Sequence, residues 1–218
     1  MKGLLKSNYY AVRSNVKVFS AVMVLLGIFV VAMDNEIPSL VIGYMLSVMI
    51  GFSINSIASA GRESTAKWSA YKLTTPVKRA DIVKSIFLSQ ILWLFVGMVF
   101  AELIVTLSIA LHGYPFDKDT DIFMLFVAGI GISLFMGAFF FPLFFWGGEE
   151  RKEVFLIISL FCGIGVAMGL VTLVNTVFQS PMTSLQIILS GSVILACSIL
   201  AFGLSYPLTV GIFRRKEY

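Results

Sequence analysis

Residues 154–178 read VFLIISLFCGIGVAMGLVTLVNTVF, an apolar run that contains no charged side chain. A helix needs about 20 predominantly apolar residues to cross the hydrocarbon layer of a membrane, so this run predicts a transmembrane helix. Five more apolar runs occupy Val18–Met33, Ile37–Ala60, Ile82–Leu111, Ile122–Trp146 and Leu185–Phe213. The sequence therefore predicts an all-α, polytopic membrane protein with six transmembrane helices in one domain, residues 1–218.

Composition supports a membrane location and argues against other classes of protein. Hydrophobic residues make up 58% of the chain and charged residues 13%, whereas an average soluble domain is about 25% charged. The net charge of +4 does not predict nucleic-acid binding, because the basic residues lie between apolar runs rather than on one soluble face. We therefore expect no nucleic-acid partner.

The basic residues follow one side of the six-run pattern. All but one of the 16 Lys and Arg residues lie on one side of this pattern: before the first run, after the sixth, between runs four and five, or between runs two and three, where Lys84 falls just inside the start of the third run. Lys118 is the exception. Because short loops rich in Lys and Arg stay in the cytoplasm, the pattern predicts cytoplasmic N and C termini in a multi-pass protein of the cell membrane.

The N-terminal segment, residues 1–17, has the pattern of an amphipathic helix. At 100° per residue, five apolar side chains share an arc of about 80°. They are Leu5, Tyr9, Val12, Val16 and, just beyond the segment, Phe19. An adjoining arc carries Lys2, Lys6, Arg13 and Lys17. The pattern predicts an interfacial helix bound to membrane lipids, its stripe among acyl chains and its cations among head groups. The alternative is a basic flank that only orients the first span.

The longest basic loop, residues 61–81, has features of a docking element. Its first half consists of good helix formers and places Trp68 and Tyr71 on one helical face. Thr75 and Pro76 have the types of an N-cap and a first helical residue, so a second helix is predicted to begin there and continue into the third span. The aromatic pair fits either an anchor for a partner protein or the head-group belt of the membrane.

A short motif in this loop resembles the ABC-2 type transporter permeases in their small six-helix form. That family commonly shows Leu-Pro-Val-Ser-Arg-x-Glu-Ile-Val before the third span, and residues 75–83 read Thr-Pro-Val-Lys-Arg-Ala-Asp-Ile-Val. The chain departs from the motif at Thr75, Lys78 and Asp81. The amphipathic start, the six spans and the long second loop agree with the same family. Within it, the chain is similar to bacterial permeases that export peptides such as phenol-soluble modulins.

The resemblance implies a partner for the loop. Its first helix would be a coupling helix seated in a separate cytosolic ATPase subunit, and the implied coupling residues are Glu63, Lys67, Trp68, Tyr71, Lys72, Pro76 and Arg79. ATP and Mg²⁺ would be bound by that subunit, because this chain has no Gly-x-x-x-x-Gly-Lys-Ser/Thr phosphate loop. We expect no cofactor in this chain. A second permease copy, identical or a close paralogue, would complete the transporter.

The spans contain few polar side chains. Glu102 is the one ionisable residue well inside a span, where a carboxylate is costly and marks a site or a pathway. Glu102, Asn55 and Asn175 are candidate cavity residues. The alternative is a structural hydrogen bond or, for Glu102, a side chain that extends to the outer membrane interface. Gln90 and several serines are expected to bond across helices or to line the same cavity. Gly165 and Gly169, four residues apart with Gly163 nearby, form a small-residue face that predicts close packing of the fifth span against another helix.

The residues that an enzyme would need are missing from the sequence pattern. The one histidine, His112, follows the third run, so no base lies near a span serine, and no metal site is predicted. The sequence therefore predicts the permease subunit of an ATP-driven exporter, with amphipathic or antimicrobial-type peptides as the first choice of cargo. The alternatives are a membrane sensor or assembly protein and a secondary transporter. A secondary transporter usually has a midplane ion site or internal repeats, and neither is evident in the sequence.

Overall fold

A computed structural model describes residues 2–33, 39–65, 78–113, 116, 120–178 and 183–215. Regular structure in these residues is helical, and none of them lies in a strand. The long helices are α1 Lys2–Met33, α2 Ser39–Thr65, α3 Arg79–His112, α4 Thr120–Gly147, α5 Lys152–Phe178 and α6 Ser184–Arg215, and a 3₁₀ turn spans Glu149–Arg151. Each of the six is long and apolar enough to cross a membrane. The predicted all-α fold with six spans is confirmed.

Successive helices run in opposite directions through the bundle. α1 and α2 form a hairpin in which the hydroxyl of Tyr44 donates to the main-chain carbonyl of Met23 at 3.1 Å. α4 and α6 run parallel and share the most extensive contact, where the hydroxyl of Ser205 donates to the carbonyl of Ala138 at 2.8 Å. The starts of α1, α3 and α5 and the ends of α2, α4 and α6 therefore lie together. We call this the basic end, because it carries Lys78, Arg79, Arg151, Lys152, Arg214 and Arg215.

α1 joins the predicted interfacial helix and the first span in one helix, about 48 Å long at the usual rise per residue. The segment is helical as predicted, but part of its apolar stripe packs on protein rather than on acyl chains. Val12 and Val16 are buried in the protein core, and the amide of Asn8 donates to the hydroxyl of Ser85 in α3 at 3.1 Å. This corrects the prediction, whose physical basis was ambiguous: a stripe of helical period fits a neighbouring helix as well as a lipid tail.

α3 begins later than the residue types of the loop predict. Lys78 has an extended conformation (φ −67°, ψ 136°), so the helix starts at Arg79 and Lys78 is an N-cap without a side-chain hydrogen bond. Asp81 lies in the first turn, where a carboxylate interacts favourably with the positive end of the helix dipole. A helix that continues from Pro76 into the span is therefore wrong, and Pro76 itself lies outside the described residues.

Two glycines allow neighbouring helices to approach to backbone contact. A Cβ added to Gly97 in α3 would lie 3.1 Å from the backbone of α2, and one added to Gly163 in α5 would lie 3.0 Å from the main-chain nitrogen of Met136 in α4. The fifth span packs closely on α4 at Gly163, and not at the predicted pair Gly165 and Gly169. A Cβ at Gly165 or Gly169 would have no neighbour within 4 Å. α5 is otherwise peripheral, and its buried residues are Ser159, Gly163 and Ala167.

Aromatic side chains fill the core between α3, α4 and α6. The ring centroid of Phe87 in α3 lies 4.5 Å from that of Phe141 in α4 and 4.8 Å from that of Phe202 in α6. Nearer the basic end, the centroids of Phe145 and Phe213 are 4.9 Å apart. Because lipid tails are as apolar as these side chains, van der Waals packing of this kind holds membrane helices together.

Candidate functional site

The basic end holds the loop for which a partner is expected. α2 ends at Thr65 and α3 starts at Arg79, so the loop leaves and re-enters the bundle at this end. Glu63 belongs to the last turn of α2, which continues beyond the span predicted to end at Ala60. The structure does not describe the Glu63 side chain, and the remaining predicted coupling residues of the loop lie outside the described residues: Lys67, Trp68, Tyr71, Lys72 and Pro76.

Arg79 is the predicted coupling residue with a defined position. Its Nη1 donates to the main-chain carbonyls of Phe213 at 3.1 Å and Arg214 at 3.2 Å, and its guanidinium carbon lies 5.6 Å from the Phe213 ring centroid. These carbonyls belong to the last turn of α6, where a helix leaves carbonyls without intrahelical partners. Arg79 therefore caps α6 from the start of α3. Tyr206 adds a second contact between the two helices, since its hydroxyl donates to the carbonyl of Ala80 at 3.4 Å.

The other charges at the basic end match the local helix geometry. Arg214 and Arg215 lie in the last turn of α6, where cations interact favourably with the negative end of the helix dipole. Gly148, with a positive φ of 82°, reverses the chain after α4, and its N–H donates to the carbonyl of Phe144 at 3.1 Å. The 3₁₀ turn that follows ends at Arg151. The helix ends and charges of the basic end therefore have defined positions next to the two ends of the loop.

Buried polar side chains form a junction between α2, α3 and α4. Gln90 of α3 is fully buried, and its Nε2 donates to the hydroxyl of Ser53 at 3.1 Å and to the carbonyl of Ser133 at 2.8 Å. The predicted bonding of Gln90 across helices is confirmed. Within the described residues, Gln90 Oε1 and Ser133 Oγ are buried without a hydrogen-bond partner. Unpaired buried polar atoms cost free energy, so the junction is satisfied only in part by its two hydrogen bonds.

The polar contacts continue from this junction toward the basic end. The hydroxyls of Ser56 in α2 and Ser89 in α3 lie 3.4 Å apart and share a hydrogen bond, and the next contact is the bond from Asn8 to Ser85. The contact of Asn8 was not predicted from the sequence. A signal was available, because serines recur every third residue on one face of α2, at Ser53, Ser56 and Ser59. The sequence could not show which helices face that row.

The three candidate cavity residues lie on three different helices, and two of them face away from the bundle. Glu102 on α3 and Asn175 on α5 are exposed. Asn55 on α2 is half-buried, and its amide donates to the carbonyl of Gly51 in its own helix at 2.9 Å. Asn55 therefore fits the structural alternative. A cavity role for Glu102 or Asn175 needs a further wall from another molecule.

The predicted interfacial cations point outward. Lys6, Arg13 and Lys17 are exposed, and the ammonium of Lys6 lies 6.0 Å from the centroid of the Tyr10 ring. The side chain of Lys2 is not described. The cations therefore face outward beside a stripe that packs partly on protein.

An apolar crevice of about 550 Å³ opens between α4, α5 and α6. Pro142 in α4, Val166 in α5 and Leu204 in α6 contribute to its walls. Ser205 is its polar lining residue, and the hydroxyl of Ser205 is already engaged with the carbonyl of Ala138. The crevice therefore offers contact area to apolar groups rather than fixed hydrogen-bond partners.

The described residues contain no grouping typical of a metal site. No three His, Cys, Asp or Glu side chains among them are placed to hold a metal ion. His112 ends α3 at the opposite end of the bundle from Arg79. The features that the structure builds are a charged end, a buried polar junction and an apolar crevice.

Comparison with known proteins assigns a family to this architecture. A sequence model of the family described as ABC-2 family transporter protein matches residues 3–214. No curated protein and no solved structure matches the chain. The family match begins in α1 and ends in the last turn of α6, so it spans the whole bundle. The chain belongs to the ABC-2 family of transporter proteins.

Proposed function

We propose that this chain is the permease subunit of an ATP-driven exporter that moves amphipathic or antimicrobial-type peptides out of the cell. As an ABC-2 family member, it is a multi-pass transmembrane subunit of an ABC transporter, and this family normally works with a cytosolic ATPase. The observation that carries the proposal is the contact of Arg79 with the end of α6. Because the loop continues directly into Arg79, a force applied to the loop acts on α2, α3 and α6 together.

The loop is proposed to seat in the ATPase through a coupling helix. Glu63, Lys67, Trp68, Tyr71, Lys72 and Pro76 are the proposed contact residues. Aromatic side chains commonly dominate the binding energy of protein interfaces, so Trp68 and Tyr71 are the proposed anchors. Arg79 is proposed to transmit the movement rather than to touch the ATPase, since its guanidinium is engaged with α6.

A second permease chain, identical or a close paralogue, is proposed to complete the pathway. α5 supports this arrangement because it buries so little of its surface within one copy. Phe161, Met168, Leu173 and Val177 are all exposed along it. A partner copy beside the bundle would also supply the further wall that Glu102 or Asn175 needs. Membrane lipids cover the surface that remains.

The cargo is proposed to be amphipathic because the described cavities offer apolar area with few fixed charges. The crevice between α4, α5 and α6 is lined mainly by aliphatic and aromatic side chains. Such a surface suits the apolar face of a helical peptide, whose polar face can remain hydrated. The proposal places antimicrobial-type peptides before small hydrophobic compounds.

The test is purification of the tagged chain from its own cells in mild detergent, with and without Trp68→Ala plus Tyr71→Ala. We expect the parent to bring down a stoichiometric ATPase and the double variant to lose it or its coupled hydrolysis. Lys17→Ala, an exposed basic change on α1, is the matched control. If a folded parent chain binds no ATPase, the coupling role is wrong.

Cargo is tested separately with the purified complex in sealed vesicles. A fluorescent amphipathic helical peptide should accumulate in the lumen of inside-out vesicles only with ATP present. A peptide of the same composition but scrambled, without an apolar face, is the control. Equal transport of both peptides would reject an amphipathic preference while leaving the ATPase result intact.

A further inference from the structure

An apolar groove of about 350 Å³ lies on the outer surface of the bundle between α3 and α6. It is separate from the crevice between α4, α5 and α6. Its apolar walls are formed by Phe87, Leu88, Ile91, Phe202, Gly203 and Tyr206. The groove runs between α3 and α6, starting below the Arg79 contact at the basic end, and it is open to the side of the bundle.

The floor of the groove is made of packed aromatic rings, and its α6 wall is low at Gly203. Phe87 and Phe202 are buried with ring centroids 4.8 Å apart, and the Tyr206 ring meets Phe87 edge-on at 5.6 Å. Gly203 is exposed, and a Cβ added there would meet no atom within 4 Å. A slender apolar chain can therefore lie over the rings beside Gly203 without displacing a side chain.

One cation lines this groove at its mouth. Lys84 is exposed and lies five residues into α3 from Arg79, or about 7.5 Å along the helix axis. Ile91 lies about 10 Å further from the basic end on the same helix. The groove therefore has its positive charge near the membrane surface and its apolar walls at greater depth. A phospholipid has the complementary order, with an anionic head group above an acyl chain.

We propose that this groove binds an anionic phospholipid, with an acyl chain over Phe87 and Phe202 and the phosphate at Lys84. The charge of Lys84 selects this occupant, because it attracts an anionic head group and repels a cationic peptide. The site goes beyond the proposed export function and does not depend on an ATPase. Bound lipid links α3 to α6 at the level just inside the Arg79 contact, and so it strengthens the connection between these helices.

The experiment uses the full chain in mild detergent and counts bound lipid by native mass spectrometry. The probes are phosphatidylglycerol and phosphatidylcholine with identical acyl chains. Lys84→Gln should weaken phosphatidylglycerol binding roughly fivefold, the usual effect of one basic residue near a lipid surface. It should weaken phosphatidylcholine binding less, because the choline group neutralises the charge of that lipid's phosphate. Gly203→Leu should weaken both lipids, because its side chain fills the groove.

Two control variants separate the groove from general surface effects. Gly211→Leu also adds a side chain to an exposed, open position of α6, and Lys17→Gln removes an exposed cation from α1. Gly211→Leu should bind the two lipids as the parent does. Lys17→Gln should lower phosphatidylglycerol binding less than Lys84→Gln does, because Lys17 lies outside the groove. All variants should retain the thermal unfolding midpoint of the parent. Parent-like phosphatidylglycerol binding by Lys84→Gln or Gly203→Leu overturns the proposal. If Gly203→Leu loses binding of a cationic amphipathic peptide but still binds both lipids, the groove is a cargo site and the lipid proposal is overturned.

Discussion

Arg79, at the first position of α3, donates a hydrogen bond of 3.1 Å to the main-chain carbonyl of Phe213 in the last turn of α6. The same guanidinium lies 5.6 Å from the centroid of the Phe213 ring. A planar group with several donors can satisfy helix-end carbonyls and contact an aromatic ring at once, which a lysine ammonium cannot do equally well. An arginine is therefore better suited than a lysine to this position, where the loop joins the bundle.

Replacement of Arg79 is therefore expected to loosen α6 from α3. Arg79→Ala should lower the free energy of unfolding by about 1–2 kcal/mol, because a charged donor to two carbonyls is lost at a partly exposed site. Arg79→Lys should recover only part of this. The measurement is the thermal unfolding midpoint in detergent, with Lys78→Ala as the exposed neighbouring control. Equal midpoints for Arg79→Ala and Lys78→Ala would show that the contact contributes nothing.

The junction at Gln90 predicts that Gln90 contributes much more to the free energy of unfolding than the hydroxyl of Ser133 does. Gln90→Ala should cost about 2 kcal/mol, because it removes two hydrogen bonds between helices and leaves a cavity. Ser133→Ala should change stability by less than about 0.5 kcal/mol, because it removes a buried hydroxyl that has no described partner. Chemical or thermal unfolding of both variants decides the matter. A large loss for Ser133→Ala would mean that its hydroxyl is paired.

The glycines of α5 predict a sharp contrast within one helix. Gly163→Leu should destabilise the bundle by about 1–3 kcal/mol, because its Cβ would meet the backbone of α4 and α5 would have to move. Gly165→Leu should be neutral or slightly stabilising, since the position is open and leucine favours the helix. The comparison is made by thermal unfolding in detergent. Equal loss in the two variants would indicate that both positions are covered in the assembled protein.

The orientation of the bundle is tested by cysteine labelling in intact cells. In a chain carrying Cys162→Ser and Cys197→Ser, we expect Lys118→Cys to react with a membrane-impermeant maleimide. Arg215→Cys should react only after the membrane is permeabilised, because the basic end is predicted to face the cytoplasm. Labelling of Arg215→Cys in sealed cells would reverse the predicted topology.

The sequence predicted the number and type of the helices because six apolar runs of membrane-spanning length leave little choice of fold. It was less informative at helix ends. The start of α3 moved from Pro76 to Arg79, since local residue types do not show that Lys78 is extended. At the start of α6, Thr183 and Gln186 form a capping box, which is a pattern that the sequence itself shows.

The candidate site was predictable in part only. Charge counting identified the basic end, and the loop motif singled out Arg79, yet its contact with α6 joins residues more than a hundred positions apart. Amphipathic periodicity placed Val12 and Val16 on one stripe without showing that protein covers them. Glu102 attracted attention through the cost of a carboxylate in a span, but which molecule faces it depends on neighbours outside one copy of the chain. Helix partners are a tertiary property that local pattern does not encode.

The order of the polar contacts along the chain has a consequence for biogenesis. The pairs Asn8–Ser85 and Ser56–Ser89 lie wholly within the first three helices, so they can form while α4 is still being synthesised. Gln90 is different, because one of its two partners is the carbonyl of Ser133 in α4. A nascent chain that has inserted α1 to α3 can therefore form both of these contacts, whereas the hydrogen bond from Gln90 to Ser133 must wait for α4.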